Sequence, residues 1–79
     1  MEFLNLSEIK RHPNINNFTI QRHSGGGWRV IISIKVDDEI FKFGVKAQRE
    51  HQRNFKTLDN AISFVAQCGK TDRATVVFK

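Results

Sequence analysis

Seventy-nine residues, 39% of them apolar and 27% charged, suffice for one domain, and a chain this short buries only ~60% of the surface its unfolded form exposes. No run approaches the ~18 apolar residues of a membrane span, the opening MEFLNLSEIK lacks the basic start and long apolar run of a secretory signal, and the lone Cys68 excludes an internal disulfide and suits a reducing compartment. A single cytoplasmic domain over 1–79 is therefore expected, without a membrane partner, and its net charge of +5 favours nucleic acid or another polyanion.

The chain opens with a short helix. Asn5 is an N-cap with Glu8 as its capping-box partner, and Leu4 and Ile9 form a hydrophobic staple around it. The helix starts at Leu6 and ends early, because Pro13 forces His12 out of the helical region. Residues 13–17, PNINN, read as a loop. Residues 18–23, FTIQRH, alternate and predict a strand. Ser24 and three glycines make the next turn. Pairing Ser24 with Trp28 across Gly25–Gly27 sets Ile20 opposite Ile32 and Phe18 opposite Ile34. A glycine run can also hold phosphate, but such loops lead into a helix, and here a strand follows without a Gly-Lys-Ser/Thr.

Residues 28–45, WRVIISIKVDDEIFKFGV, carry the clearest pattern in the chain. Two period-two runs flank Asp37-Asp38, which predicts a hairpin with one face buried and one wet. A two-residue loop there sets Val36 opposite Glu39, Ile34 opposite Phe41, Ile32 opposite Phe43, Val30 opposite Val45 and Trp28 opposite Ala47. On the other face Lys35 meets Ile40, Ser33 meets Lys42, Ile31 meets Gly44 and Arg29 meets Lys46. A slip of one residue would bury the cations, which is too costly without partners.

Residues 46–56, KAQREHQRNFK, show no period and read as an exposed connector or a phosphate-contacting arm. Residues 57–69 predict the main helix: Thr57 caps it, Asp59 suits its dipole, and Gly69 ends it. Leu58, Ala61, Ile62 and Val65 form its buried stripe, flanked by Phe64 and Cys68. Residues 73–78 predict a last strand at a sheet edge. The expected fold is α+β in the order α-β-β-β-α-β, a two-layer arrangement. Its mainly antiparallel sheet has three to four strands, with the main helix packed on one face.

No catalytic or metal motif appears. His12, His23 and His51 are scattered, and none has a close-spaced ligand pair with Cys68. Asp37, Asp38 and Glu39 are explained by a solvated hairpin tip. The search for a nucleophile, base and oxyanion donor finds none, so neither an enzyme nor a cofactor is expected. The basic excess is uneven: residues 46–56 carry Lys46, Arg49, Arg53 and Lys56 against Glu50. The candidate interface is thus the wet sheet face, with Arg29, Lys35, Lys42 and Lys46 on it, Arg49 and Arg53 nearby and Gln21 on the adjoining strand. Lysines there suit phosphates, while arginine and glutamine suit base edges. The rival expectation is a protein-interaction module or homodimer seeded by Ile31 and Ile40, or by strand pairing at 18–23 or 73–78.

Gly27-Trp28, a strand, a charged turn, a strand, and then Phe55, Thr57 and Ala61 resemble the three-strand-plus-helix DNA-binding domains. These are found at the amino end of tyrosine integrases and in plant ethylene-response transcription factors. The resemblance covers roughly residues 18–66 and implies a sheet laid in the major groove of double-stranded DNA with a helix behind it. Three features depart from that pattern. Residues 46–54 intervene before the aromatic-x-Thr run, and the first helix and last strand have no counterpart. The order helix, three strands, helix also looks like a double-stranded-RNA-binding domain, but Leu58-Asp59-Asn60 lacks that family's lysine cluster.

Overall fold

The computed structural model describes residues 2–47 and 52–78. In chain order the elements are β1 (Glu2–Leu4), α1 (Leu6–Arg11), β2 (Ile15–Arg22), β3 (Trp28–Val36), β4 (Glu39–Val45), α2 (Leu58–Cys68) and β5 (Thr75–Val77). They build one five-stranded sheet in the order β1-β4-β3-β2-β5. The three middle strands are antiparallel. The edge strands run parallel to their neighbours, β1 to β4 and β5 to β2. The sheet is therefore mixed, and one strand precedes the first helix. That strand is only three residues long, too short for alternation to show.

The β3–β4 hairpin has the register expected from alternation, from Val36 opposite Glu39 to Ile31 opposite Gly44. Asp37 and Asp38 both take positive φ, 50° and 69°. That is the backbone of a two-residue hairpin turn whose twist matches its strands, and aspartate tolerates it. Beyond Gly44 the expected pairs of Val30 with Val45, Arg29 with Lys46 and Trp28 with Ala47 do not form. The chain instead turns toward β1, where the Lys46 N–H donates to the Leu4 carbonyl (2.8 Å). Residues 52–55 then fill the vacated lane. The Arg53 N–H donates to the Val45 carbonyl (2.8 Å), and Phe55 exchanges two hydrogen bonds with Trp28 (2.7 and 2.6 Å).

The β2–β3 loop has the expected three residues but a different position. It is Ser24-Gly25-Gly26, closed by His23 N–H to the Gly27 carbonyl and Gly26 N–H to the His23 carbonyl, each 3.0 Å. Gly26 and Gly27 take φ of 102° and 81°, which glycine adopts without a Cβ penalty. Ile20 therefore pairs with Val30 and Phe18 with Ile32. The slide is two residues, so every side chain keeps its expected face. β2 also begins earlier than expected. A bulge between Ile15 and Asn17 lets Ile15 pair with Ile34 and pack on the core.

Both helices cover the same side of the sheet, their buried residues sharing one core with Phe18, Ile20, Val30, Ile32 and Val45. α1 has its capping box, with the Glu8 N–H donating to Asn5 Oδ1 (2.8 Å) and the Asn5 N–H to Glu8 Oε1 (3.0 Å). Its Ile9 is fully buried. α2 starts where Thr57 Oγ1 accepts the Asn60 N–H (3.1 Å) and stops at left-handed Gly69. Its buried stripe is Ala61, Phe64, Val65 and Cys68, while Ile62 is exposed. The helix is rotated from the expected setting because Phe55 enters the core and meets Phe64, ring centroids 5.3 Å apart.

Phe55 thus belongs to the core and not to an exposed arm. Phe55→Ala should lower the unfolding free energy by about 3–5 kcal/mol. Lys56→Ala, at an exposed neighbour, should change it by no more than about 0.5 kcal/mol. Denaturant melts of the two variants check this, and equal, small losses would contradict the placement.

Candidate nucleic-acid interface

With both helices on one side, no helix among the described residues lies over the opposite face of the sheet. Alternation puts Arg29, Ile31, Ser33 and Lys35 of β3 on this open face. Pairing adds Ile40, Lys42 and Gly44 from β4, and Asn17, Thr19 and Gln21 from β2. The edges add Phe3, opposite Gly44, and Thr75 and Val77 of β5, opposite Thr19 and Gln21. No carboxylate stands among these paired positions. The two acids within strands, Glu2 and Glu39, pair with Phe43 and Val36, on the side that alternation assigns to the helices.

The expected site residues that lie in the described segments divide into three groups. Arg29, Gln21, Lys35 and Lys42 lie on the open face as anticipated. Arg29 donates from Nε and Nη2 to Gln21 Oε1, at 3.3 and 3.1 Å, so one side chain fixes the other. Lys35 and Lys42 are exposed, flanking the buried Ser33. Lys46 is at the β1 margin, where it lines a shallow pocket with Glu2, Phe3, Leu4 and Glu8. It does not pair with Arg29, and two carboxylates line the same pocket.

Arg53 is in the other layer. Its guanidinium carbon is 4.6 Å from the Phe55 ring centroid and 5.6 Å from that of Phe64. A cation over aromatic faces is attracted by their quadrupole, so Arg53 is committed to the helix side and leaves the expected interface. Arg49 and His51 lie outside the described residues.

The middle of the open face is shielded from solvent, Gly44 included. Ile31 and Ser33 are each only 7% exposed, which removes Ile31 as a contact for a partner. A Cβ on Gly44 would stand 2.7 Å from the Phe3 ring and 3.2 Å from Gln52 Nε2, so glycine is what lets both side chains lie there. That Gln52 nitrogen is buried without a hydrogen-bond partner among the described residues. Phe3 and Gln52 were missed from the sequence because neither segment has a readable period.

At one end of the sheet Arg22, His23, Ser24 and Phe78 line a pocket with Gln21 and Arg29. These residues too carry no sequence motif; only the meeting of β2, β3 and the end of β5 joins them. His23 Nδ1 accepts the Gly25 N–H (3.0 Å), and His12 Nδ1 accepts that of Asn14 (3.3 Å). Each imidazole thereby supports a turn. Among the described residues no three His, Cys, Asp or Glu side chains gather in a metal-binding group. Among them, too, no helix is long and apolar enough to cross a membrane.

The chain matches no protein-family model, no curated protein and no solved structure.

Burial in the core raises the Cys68 thiol above its ordinary pKa, with the charge of Lys10 partly offsetting the rise. A thiol so placed is poor in thiolate. An aromatic disulfide reagent should therefore label Cys68 far more slowly in the native protein than after denaturation. Equal rates would show that the α2 face is not closed.

Proposed function

We propose that this chain is a small nucleic-acid-binding protein that lays the open face of its sheet on duplex DNA. The observation that carries the reading is the sorting of charge by the sheet. Arg29, Lys35 and Lys42 share a helix-free face on which no strand position holds a carboxylate. From Arg29 to Lys35 the strand runs ~20 Å. Duplex DNA carries about one charge per 1.7 Å of axis, so cations spread over this length meet several phosphates.

Lys35 and Lys42 would position the protein on the backbone without reading sequence. Arg29 is the candidate for a base edge, since its fork suits guanine. Gln21 already gives its Oε1 to Arg29, so its role is to aim the arginine and not to read adenine by its full amide. The resemblance to three-strand-plus-helix DNA-binding domains supports the same choice of face. A DNA partner and a single unpaired thiol both suit the cytoplasm, and no catalytic activity is proposed.

A second reading rests on the end of the β3–β4 hairpin. Val36, Ile40 and Phe41 are exposed there, Ile40 by 55%, around the acidic turn Asp37-Asp38. Apolar side chains on a projecting ribbon suit a protein contact. Concentration-dependent size in solution would favour that reading.

Anisotropy titration of labelled duplex DNA at several salt concentrations separates the two. Neutralising three phosphates gives a slope of log K against log salt of about −2.7, and Lys35→Ala/Lys42→Ala should cut its magnitude by about 1.8. Binding that ignores both lysines, or no binding at low salt, would contradict the proposal.

A further inference from the structure

The pocket at the corner of the sheet has a composition of its own. It is open, about 480 Å³ in volume, within the range of small-ligand sites. Among the described residues its lining supplies two guanidinium groups, an imidazole, a hydroxyl and an amide, and no carboxylate. Arg22 ends β2 opposite Trp28 and is exposed. Arg29 is held by Gln21 through two of its five N–H groups.

Phe78 is the unusual member. The residue is 65% exposed, although apolar surface left in water is unfavourable. It is not loose: it stands edge-on to Trp28, centroids 5.6 Å apart and planes at 82°. A braced, exposed aromatic ring beside two arginines is the combination that binds unpaired nucleotides. A base stacks on the ring whatever its identity, and a planar guanidinium matches a phosphate. Paired bases in a duplex keep their faces inside the stack, so Phe78 has nothing to offer them.

We infer that this corner binds one unpaired nucleotide of a single strand, with the base on Phe78 and the phosphate between Arg22 and Arg29. The inference takes its ligand class from the nucleic-acid reading of the neighbouring face and extends it from duplex to single strand. Arg29, shared by face and pocket, joins the two surfaces.

The test compares a labelled oligothymidylate, which has little structure of its own, with a duplex of equal length. Anisotropy reports affinity. Trp28, the single tryptophan of the chain, reports occupancy next to Phe78 through quenching of its emission. The variants are Phe78→Ala, Phe78→Leu and Arg22→Ala, each checked for folding by circular dichroism. Both Phe78 variants should weaken single-strand binding about five- to hundred-fold and leave duplex binding within about two-fold. Arg22→Ala should weaken single-strand binding and lower its salt slope by about 0.7. Phe78→Leu keeps apolar bulk without the π face, so wild-type single-strand affinity in that variant would overturn the inference. Equal losses for both ligands would also overturn it. Duplex binding without single-strand binding would sink the pocket and leave the face reading standing. Phe78-dependent single-strand binding without duplex binding would do the reverse, and binding of neither ligand would end both.

Discussion

Side-chain alternation along β3 is the constraint on which the rest of the molecule depends. β3 lies at the centre of the sheet, with β4 on one side and β2 on the other. Its even positions Val30, Ile32 and Ile34 are fully or almost fully buried against the helices. Its odd positions include Arg29 and Lys35. A shift of one residue against either neighbour would carry these cations into the core, where nothing compensates their lost hydration. The same parity that assembles the core therefore collects positive charge on the opposite face. Acidic side chains are held off that face by the parity of β1 and β4, not by any local repulsion.

The exchange of hydrogen bonds between Trp28 and Phe55 links this sheet to the helix layer. It ends the β3–β4 ladder, brings Phe55 into the core and turns α2 until Phe64 and Cys68 face inward. Arg53 follows from the same event. Two residues before Phe55 in an extended segment, it falls on the side of the aromatic rings. Its charge is thereby directed away from the open face, and Gly27 takes part in allowing the approach. A Cβ there would lie 2.8 Å from the Phe55 carbonyl oxygen and 2.5 Å from Asn54 Oδ1.

What could be read from the sequence depended on how far apart the interacting residues were. The β3–β4 register was legible because period two and a polar pair at the turn are local signals, and so were the capping box at Asn5 and Glu8 and the cap at Thr57. The β2–β3 register was legible only in parity. Four small residues, Ser24 to Gly27, offer two positions for a three-residue loop, and the two differ by a slide that leaves every face unchanged. β1 and the Phe55 lane were not legible, since their pairing partners are distant and their own residues show no period. For the candidate interface, Arg29, Gln21, Lys35 and Lys42 came from alternation alone. Lys46 and Arg53 were misplaced because both follow the point where the chain leaves the hairpin. The Phe78 corner depends on three segments meeting and has no sequence signature.

Together these features describe a sheet with one side closed by helices, the other presenting cations around a shielded centre, and an aromatic corner at one end. The claim that this side meets nucleic acid is most directly tested by amide chemical shifts of the labelled protein during titration with an oligonucleotide. The account predicts shifts along Gln21, Arg22, Arg29, Lys35 and Lys42, and near-silence along the exposed side of α2 at Ile62 and Gln67. Shifts confined to α2, or to the hairpin tip at Asp37 and Asp38, would contradict it.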